Sequence, residues 1–208
     1  MWRIASTQGD DLVILSDEIY SQIIFEGQHQ SISSFPQMKE KTIILDGFSK
    51  TYAMTGWRLG YGVMPKYLAP KITQLMINCN SCTSAFIQVA GVEALKGSQK
   101  EVGKNNAELK RRREAIVSGL NDIEGITCAN PPGTFYVFPN ITGTKMKSRN
   151  LSDRLLNDAG VATLAGTAFG KFGEGYLRIS FANSIENIKI AVEAISKSVQ
   201  QIKKDETQ

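Results

Sequence analysis

The sequence has few residues of the kinds that form disulfide bonds or bind metal ions. Its 208 residues include three cysteines and one histidine. An odd cysteine count in a chain of this length argues against a disulfide scaffold. Cys79 and Cys82 have Cys-x-x-Cys spacing, but a zinc site needs two further ligands, Cys128 is distant, and His29 is the single histidine. We therefore expect no metal site, ordinary packing for the cysteines, and a reducing compartment, the cytoplasm.

The sequence also lacks long apolar runs and a strong charge of one sign. No run approaches the ~18 apolar residues of a membrane span, and residues 1–6 lack the apolar core of a signal peptide. The 24 Lys and Arg against 20 Asp and Glu give a net charge of +4, which is too small to indicate nucleic-acid binding. The basic cluster at 110–113 is flanked by Glu108 and Glu114, so it fits a solvated helix face. We expect neither a nucleic-acid nor a membrane partner.

Short apolar runs alternate with helical patterns along the first half of the chain, which is typical of an α/β protein. We predict buried strands at 11–16, 42–47 and 59–64, and helices at 65–76, 84–95 and 99–120. The second half has the mixed pattern of an α+β domain. We predict strands there at 126–129, 134–138, 161–165 and 176–181, and helices at 150–159 and from Ser184 to about residue 203.

Lys50 follows the apolar run 42–47 and suggests covalent chemistry. A lysine at the end of a buried strand is poorly hydrated, and its amine can then lose its proton near neutral pH. A neutral amine condenses with an aldehyde or ketone. Arg58, eight residues on, offers a fork of donors that suits a phosphate. Both side chains could instead be ordinary surface charges. If they act together, they suit an aldehyde that carries a phosphate, such as pyridoxal phosphate.

Three further residues fit the same chemistry. Asp17 comes at the carboxyl end of a predicted strand, where a carboxylate can pair with a protonated pyridine nitrogen, and Tyr20 could donate a hydrogen bond to a ring oxygen. Alternatively, Asp17 caps a turn and Tyr20 is a core aromatic residue. Arg178 lies within the alternating run 176–181 and needs an anionic partner. That partner is a carboxylate of the protein or the α-carboxylate of an amino acid.

Three segments resemble class I/II aminotransferases, the fold-type I pyridoxal-phosphate enzymes related to aspartate aminotransferase. Residues 49–61 read Ser-Lys-Thr-Tyr-Ala-Met-Thr-Gly-Trp-Arg-Leu-Gly-Tyr and are similar to the segment with the cofactor lysine. Residues 16–20, Ser-Asp-Glu-Ile-Tyr, resemble the ring-binding segment. Residues 173–182, Gly-Glu-Gly-Tyr-Leu-Arg-Ile-Ser-Phe-Ala, resemble the segment that binds the substrate carboxylate.

The resemblance implies a fold and a function. Residues 1–110 would form part of the cofactor-binding large domain, a mixed sheet with flanking helices, and 111–208 the small α+β carboxyl-terminal domain. The implied activity transfers an amino group between an amino acid and a 2-oxo acid, with pyridoxal 5'-phosphate as cofactor and a homodimer as the full-length form. The implied site residues are Lys50 as catalytic residue, Asp17, Tyr20, Ser49, Lys50 and Arg58 as cofactor ligands, and Arg178 as substrate ligand.

The match departs from the family in two respects. Many relatives have a phosphate-binding serine where this chain has Gly47, and Ser49 is a candidate replacement. The resemblance also corresponds to only the carboxyl-terminal half or so of a usual member, because the glycine-containing phosphate turn, the ring-stacking aromatic residue and the Asn-Pro-Thr-Gly segment are not found. We therefore expect a truncated aminotransferase. The alternatives are a carbon–sulfur β-lyase of the same fold and a catalytically silent fragment.

Overall fold

The computed structural model describes residues 12–205, so residue 11, where the first predicted strand begins, lies outside the described residues. The chain forms two compact units that divide between Lys104 and Asn105. This division falls within one long helix, Lys100–Asn121. The boundary expected near residue 110 lies a few residues further along the same helix.

The first unit contains a mixed sheet of three strands in the order β1 (Ile14–Asp17), β2 (Thr42–Gly47) and β3 (Gly60–Val63). β1 and β2 run parallel, and β2 and β3 run antiparallel with Gly47 opposite Gly60. The sequence correctly predicted where all three strands lie, and the bounds of β2 are those expected from its β-branched run. The mixed α/β character of the fold is therefore confirmed.

The prediction that all three strands are buried was wrong in part. Ile14 is buried in β1, but its neighbour Leu15 is 64% exposed, and all four residues of β3 are exposed. A small core forms instead where Ile14 and Met38 pack together. An apolar run rich in β-branched residues indicates a strand because such side chains pack well on a pleated surface, but it does not show which face another element covers.

Three helices follow the sheet: α1 (Ala69–Asn80), α2 (Ala85–Lys96) and α3 (Lys100–Asn121). α1 begins later than predicted because residues 65–68 form a turn in which Leu68 donates a backbone hydrogen bond to Pro65. α2 lies against the segment between β2 and β3, since a Cβ added at Gly91 would lie 2.5 Å from the Leu59 side chain. No helix in the described part of the chain is both long and apolar enough to cross a membrane.

The second unit combines an antiparallel sheet with most of α3 and two further α-helices. The elements are β4 (Tyr136–Val137), α4 (Ser148–Ala159), β5 (Leu164–Ala165), β6 (Leu177–Ser180) and α5 (Ile185–Asp205). The strand order is β4-β6-β5. α5 buries one apolar stripe, formed by Ile188, Ile195, Val199 and Ile202. This spacing of three, four or seven residues is that of a helix with one face in the core.

Two expectations for the second unit were tested by its local structure. α4 ends at Ala159, as predicted, and Gly160 immediately after it has a φ of 65°, a left-handed conformation that glycine adopts without a steric penalty. The strand predicted at 126–129 was wrong, because Thr127 makes only an isolated bridge to Asn140.

The expectation of ordinary packing holds for one of the three cysteines. Cys128 is buried, and burial raises the pKa of its thiol to about 11. Cys79 and Cys82 are exposed, so the expectation was wrong for these two.

Gly47 provides a test of the contact between β2 and β3. A Cβ at this position would lie 2.9 Å from the Gly60 Cα atom and 3.0 Å from the Leu59 carbonyl oxygen. Because both neighbours are backbone atoms, we expect Gly47→Ala to lower the free energy of unfolding by about 1–3 kcal/mol, measured by urea denaturation.

Gly103→Ala is the matched control, because nothing lies within 4 Å of the added methyl group. Gly103 lies in α3, where alanine is favoured over glycine by about 0.5–1 kcal/mol, so this variant should be at least as stable as the parent. Equal stability of Gly47→Ala and the parent would show that β3 does not approach β2 as closely as described.

Candidate functional site

Lys50 lies in the loop that connects β2 to β3. The Phe48 amide donates a hydrogen bond to the Leu59 carbonyl oxygen at 3.2 Å, which extends the pairing of Gly47 with Gly60 by one step. The Phe48 carbonyl oxygen in turn accepts hydrogen bonds from two amides further along the loop, those of Tyr52 and Met54, each at 3.3 Å. The loop is therefore folded tightly over the end of β2, and Lys50 is half-buried within it.

Two residues of this loop have a left-handed backbone conformation. Ala53 and Arg58 both have a φ of 54°, which costs a non-glycine residue roughly 1–2 kcal/mol. At Arg58, the side chain is held by a 2.9 Å hydrogen bond from Nη1 to the Thr55 carbonyl oxygen. Backbone strain of this kind is frequent at functional sites, and here it occurs at both ends of the segment 53–58.

The turn after β1 and the loop after β2 line two sides of one cleft. Because β1 and β2 are parallel, their carboxyl ends lie at the same edge of the sheet, where ligands of open α/β sheets collect. The Glu18 amide donates a 2.8 Å hydrogen bond to the Leu45 carbonyl oxygen, so the pairing of the two strands continues into the turn. Asp17 and Tyr20, on either side of this anchor, both line the space above the sheet edge.

The two walls enclose an open cleft of ≈ 530 Å³ within the first unit. The structure brings together in this cleft every residue that the sequence analysis expected to bind the cofactor: Asp17, Tyr20, Ser49, Lys50 and Arg58. Two polar residues that were not expected from the sequence, Asp46 and Thr55, also line the cleft. Asp46 is the next-to-last residue of β2, as Asp17 is the last of β1, so its position at a strand end was the available signal.

The two carboxylates of the cleft differ in their hydrogen bonding. Asp46 accepts hydrogen bonds on both oxygens, from the Gly47 amide at 2.7 Å and from the Tyr61 hydroxyl at 3.1 Å. Burial and the Asp46 carboxylate together raise the pKa of Tyr61 to about 12. Asp17 accepts a 3.3 Å hydrogen bond from the Ile19 amide on Oδ1. No described residue donates to its Oδ2, so Asp17 is the carboxylate that can accept a ligand N–H.

Arg178 lies in the second unit, in β6. Its guanidinium carbon lies 4.4 Å from the ring centroid of Tyr136 and 4.7 Å from that of Phe169. It makes no hydrogen bond or ion pair with any described residue, so the protein carboxylate considered as its partner is not among the residues that the structure describes. A guanidinium stacked on ring faces keeps its in-plane donors available for a bidentate anion such as a carboxylate.

The donors and acceptors of the cleft define the ligand that would fit. The amine of Lys50 suits an aldehyde or ketone, and the guanidinium of Arg58 suits a phosphate. Two hydroxyl groups, those of Ser49 and Thr55, line the same cleft. The open oxygen of Asp17 suits a protonated ring nitrogen. This set of groups fits an aldehyde that carries both a phosphate and a basic ring nitrogen, which is the chemistry of pyridoxal phosphate.

Gly47 cannot carry a side chain such as that of serine without movement of the backbone. A Cβ atom there would meet the backbone of Gly60 and Leu59 at 2.9 and 3.0 Å. In this chain the aliphatic hydroxyl groups of Ser49 and Thr55, in the loop after β2, line the cleft.

Comparison with known proteins identifies related sequences. The model of the family described as aminotransferase class I and II matches residues 3–195. An aspartate aminotransferase of Pyrococcus horikoshii is 42% identical over 193 residues, which cover 91% of this chain and 49% of the relative. An aromatic-amino-acid aminotransferase of Thermococcus litoralis is 38% identical over 196 residues, which cover 93% of this chain and 50% of the relative.

Solved structures show the same fold. The crystal structure of an aromatic aminotransferase from Pyrococcus horikoshii superimposes with a TM-score of 0.89 at 39% identity. The match covers 93% of this chain and 52% of that chain. The chain thus spans about half the length of the relatives it matches. Since the family model extends over nearly the whole sequence and the structural match over most of it, the chain belongs to the aminotransferase class I and II family.

Proposed function

We propose that this chain is part of a pyridoxal-phosphate-dependent aminotransferase that moves an amino group between an amino acid and a 2-oxo acid. The main support is that Lys50 lies in one cleft with the other four residues expected to bind the cofactor. The family membership and the names of the relatives support the same reaction. We also expect a homodimer as the full-length form and a cytoplasmic location.

Lys50 is the proposed catalytic residue. When bound, pyridoxal phosphate supplies an aldehyde and an electron-withdrawing ring. The Lys50 amine would hold the cofactor through its aldehyde carbon, and the same nitrogen, when not bonded to the cofactor, would be the base that accepts the proton of the substrate α-carbon. Proton transfer by a positioned group of this kind contributes typically ~10²–10⁴-fold to the rate. The tight loop around Phe48 keeps the amine at the sheet edge.

Asp17 and Tyr20 are the proposed ring ligands. Because Asp17 Oδ2 accepts no hydrogen bond from a described residue, it can pair with the ring nitrogen and keep that nitrogen protonated. A protonated ring withdraws electrons from the α-carbon more strongly than a neutral one. Tyr20 lines the cleft on the same turn, where its hydroxyl can donate to the ring oxygen.

The remaining proposed roles are to bind the phosphate of the cofactor and the α-carboxylate of the substrate. Arg58 is the proposed phosphate ligand, assisted by the hydroxyl of Ser49, and both line the cleft. Arg178 is the proposed ligand of the substrate α-carboxylate, since its guanidinium lies over the rings of Tyr136 and Phe169 and no described residue provides it with a carboxylate. The comparisons give no support to the alternative carbon–sulfur β-lyase, because the relatives named here are aminotransferases.

The role of Lys50 is tested by titrating the purified chain with pyridoxal phosphate and recording the absorption spectrum. We expect saturable binding with the spectrum of a lysine-bound aldehyde, and Lys50→Ala should lose that spectrum. The control Lys71→Ala removes an exposed lysine of α1 and should behave as the parent. An unchanged spectrum in Lys50→Ala would refute the assignment, and the absence of specific binding in the parent would favour the silent fragment.

The difference between the two cleft carboxylates predicts the effect of Asp17→Asn. Loss of the charge facing the ring nitrogen should weaken pyridoxal-phosphate binding at least about tenfold, equivalent to ~1.4 kcal/mol, in an equilibrium titration. Asp122→Asn removes an equal charge from an exposed position at the end of α3 and should leave the affinity unchanged. Equal affinities of Asp17→Asn and the parent would show that Asp17 does not contact the cofactor.

Arg178→Lys tests the proposed carboxylate ligand while keeping the positive charge. Lysine lacks the planar fork that binds a carboxylate through two parallel bonds, so we expect amino-acid binding to the cofactor-loaded protein to weaken about tenfold or more, or by ~1.4 kcal/mol. Arg149→Lys, at an exposed position on α4 that faces Asp153, is the control. A substrate affinity that survives Arg178→Lys would place the carboxylate elsewhere.

A further inference from the structure

Glu18 lies between two residues of the cleft, Asp17 and Tyr20, but it does not line the cleft itself. Its side chain is 9% exposed. A carboxylate that has left water is costly unless it is fully hydrogen-bonded. The contacts of Glu18 show how the protein compensates that cost.

Three side chains contact the Glu18 carboxylate. Ser31 donates a 2.7 Å hydrogen bond to Oε1, and Ser16 donates one of 3.1 Å to the same oxygen. The Nε2 atom of His29 lies 2.8 Å from Oε2. Glu18, His29 and Ser31, named here the Glu18 cluster, thus connect the turn after β1 to the stretch 29–31.

The hydrogen bonds keep Glu18 ionised. Burial alone would raise its pKa, but the hydrogen bonds from Ser31, His29 and Ser16 outweigh burial and hold the pKa below its ordinary value. The cluster therefore contributes its full stabilisation at neutral pH, and loses it only as the pH falls through this lowered pKa.

The backbone of Glu18 is fixed as firmly as its side chain. Its amide donates to the Leu45 carbonyl oxygen and its carbonyl oxygen accepts from the Ser21 amide, both at 2.8 Å. A residue held by its amide, its carbonyl group and its side chain leaves the adjacent residues little freedom. In this turn the adjacent residues include Asp17, and Tyr20 lies two positions further on.

We propose that the Glu18 cluster is a positioning device that holds the turn after β1 so that Asp17 and Tyr20 face the cleft. Glu18, His29 and Ser31 act through these two neighbours and do not touch the ligand. The consequence for cofactor binding rests on the function proposed above. The rigidity of the turn does not depend on that function and can be measured without any cofactor.

Two variants weaken the cluster, one by changing the carboxylate and one by changing a hydrogen-bond donor to it. Glu18→Gln removes the charge and keeps the size of the side chain, and Ser31→Ala removes the shortest hydrogen bond and keeps the charge. The control Glu40→Gln removes the same charge from an exposed position in the same connecting stretch. If Glu18→Gln does not fold, the proposal is still tested by Ser31→Ala, which leaves Glu18 in place.

The first measurement is amide hydrogen exchange of the full chain without cofactor. We expect the peptide that contains residues 17–21 to exchange several-fold faster in Glu18→Gln and Ser31→Ala than in the parent and in Glu40→Gln. Peptides of the second unit should be unchanged in all variants. If both cluster variants exchange at the parental rate in residues 17–21, the proposal is wrong, whether or not the parent binds the cofactor.

The second measurement is the pyridoxal-phosphate titration followed by absorption. We expect Glu18→Gln and Ser31→Ala to bind the cofactor several-fold more weakly than the parent. We also expect a shift in the pH at which half of the spectral change of the bound cofactor has occurred, because Asp17 and Tyr20 are the proposed ring ligands. A purely structural cluster would lower stability and leave that midpoint in place, which would overturn the proposal. Failure of the parent to bind would refute the proposed function, and the exchange data would still decide the role of the cluster.

Discussion

The close pairing of Gly47 with Gly60 is the constraint on which the candidate site depends. A Cβ atom at Gly47 would meet the facing backbone at 2.9 Å, so the two strands approach to a distance that only glycine permits. This contact closes the loop between β2 and β3 at its base. The loop must then return within a short distance, which brings Lys50, near its start, and Arg58, near its end, into the same cleft.

The loop adopts this path at some energetic cost. Left-handed conformations at Ala53 and Arg58 each cost roughly 1–2 kcal/mol, and the hydrogen bonds around Phe48 and Leu59 offset part of it. The packing of α2 against the same loop, through Gly91, adds a rigid support. The result is a short loop whose position is determined by its surroundings, which suits side chains that must be held in one arrangement.

Acidic residues lie at the ends of β1 and β2, on the side of the cleft opposite the loop. Two carboxylates lie at the ends of paired strands, and their roles differ because their hydrogen bonds differ. Asp46 accepts hydrogen bonds on both oxygens, from Gly47 and Tyr61, whereas no described residue donates to Oδ2 of Asp17. Behind them, Glu18 is buried in a set of hydrogen bonds that connects the turn to the stretch 29–31. The three acidic residues thus have three separate environments within a few residues of the same sheet edge.

The sequence was sufficient to predict the strands and the main residues of the cleft. The β-branched run at 42–47 defined β2, and the strand ends gave Asp17 and Lys50, because apolar runs and the charges after them are local signals. The sequence could not show that Leu15 is exposed, since exposure depends on which element covers a face. It also did not reveal the Glu18 cluster, because the hydrogen bonds that join Glu18 to His29 and Ser31 connect positions 11 and 13 apart in the sequence. Asp46 was missed although its position near the end of β2 was a local signal.

The family membership gives the fold, and the geometry of the cleft gives a physical reason for each proposed residue role. About half the length of the relatives is represented in this chain, so the central claim concerns the cleft and not a complete catalytic cycle. That claim is that one particular amine, at the edge of the sheet, is the site of covalent attachment.

The most direct test is to mix the purified chain with pyridoxal phosphate, reduce with borohydride, and identify the modified peptide by mass spectrometry. The account predicts that the label is concentrated on Lys50. A label distributed over exposed lysines, with Lys50 no more modified than the others, would contradict it.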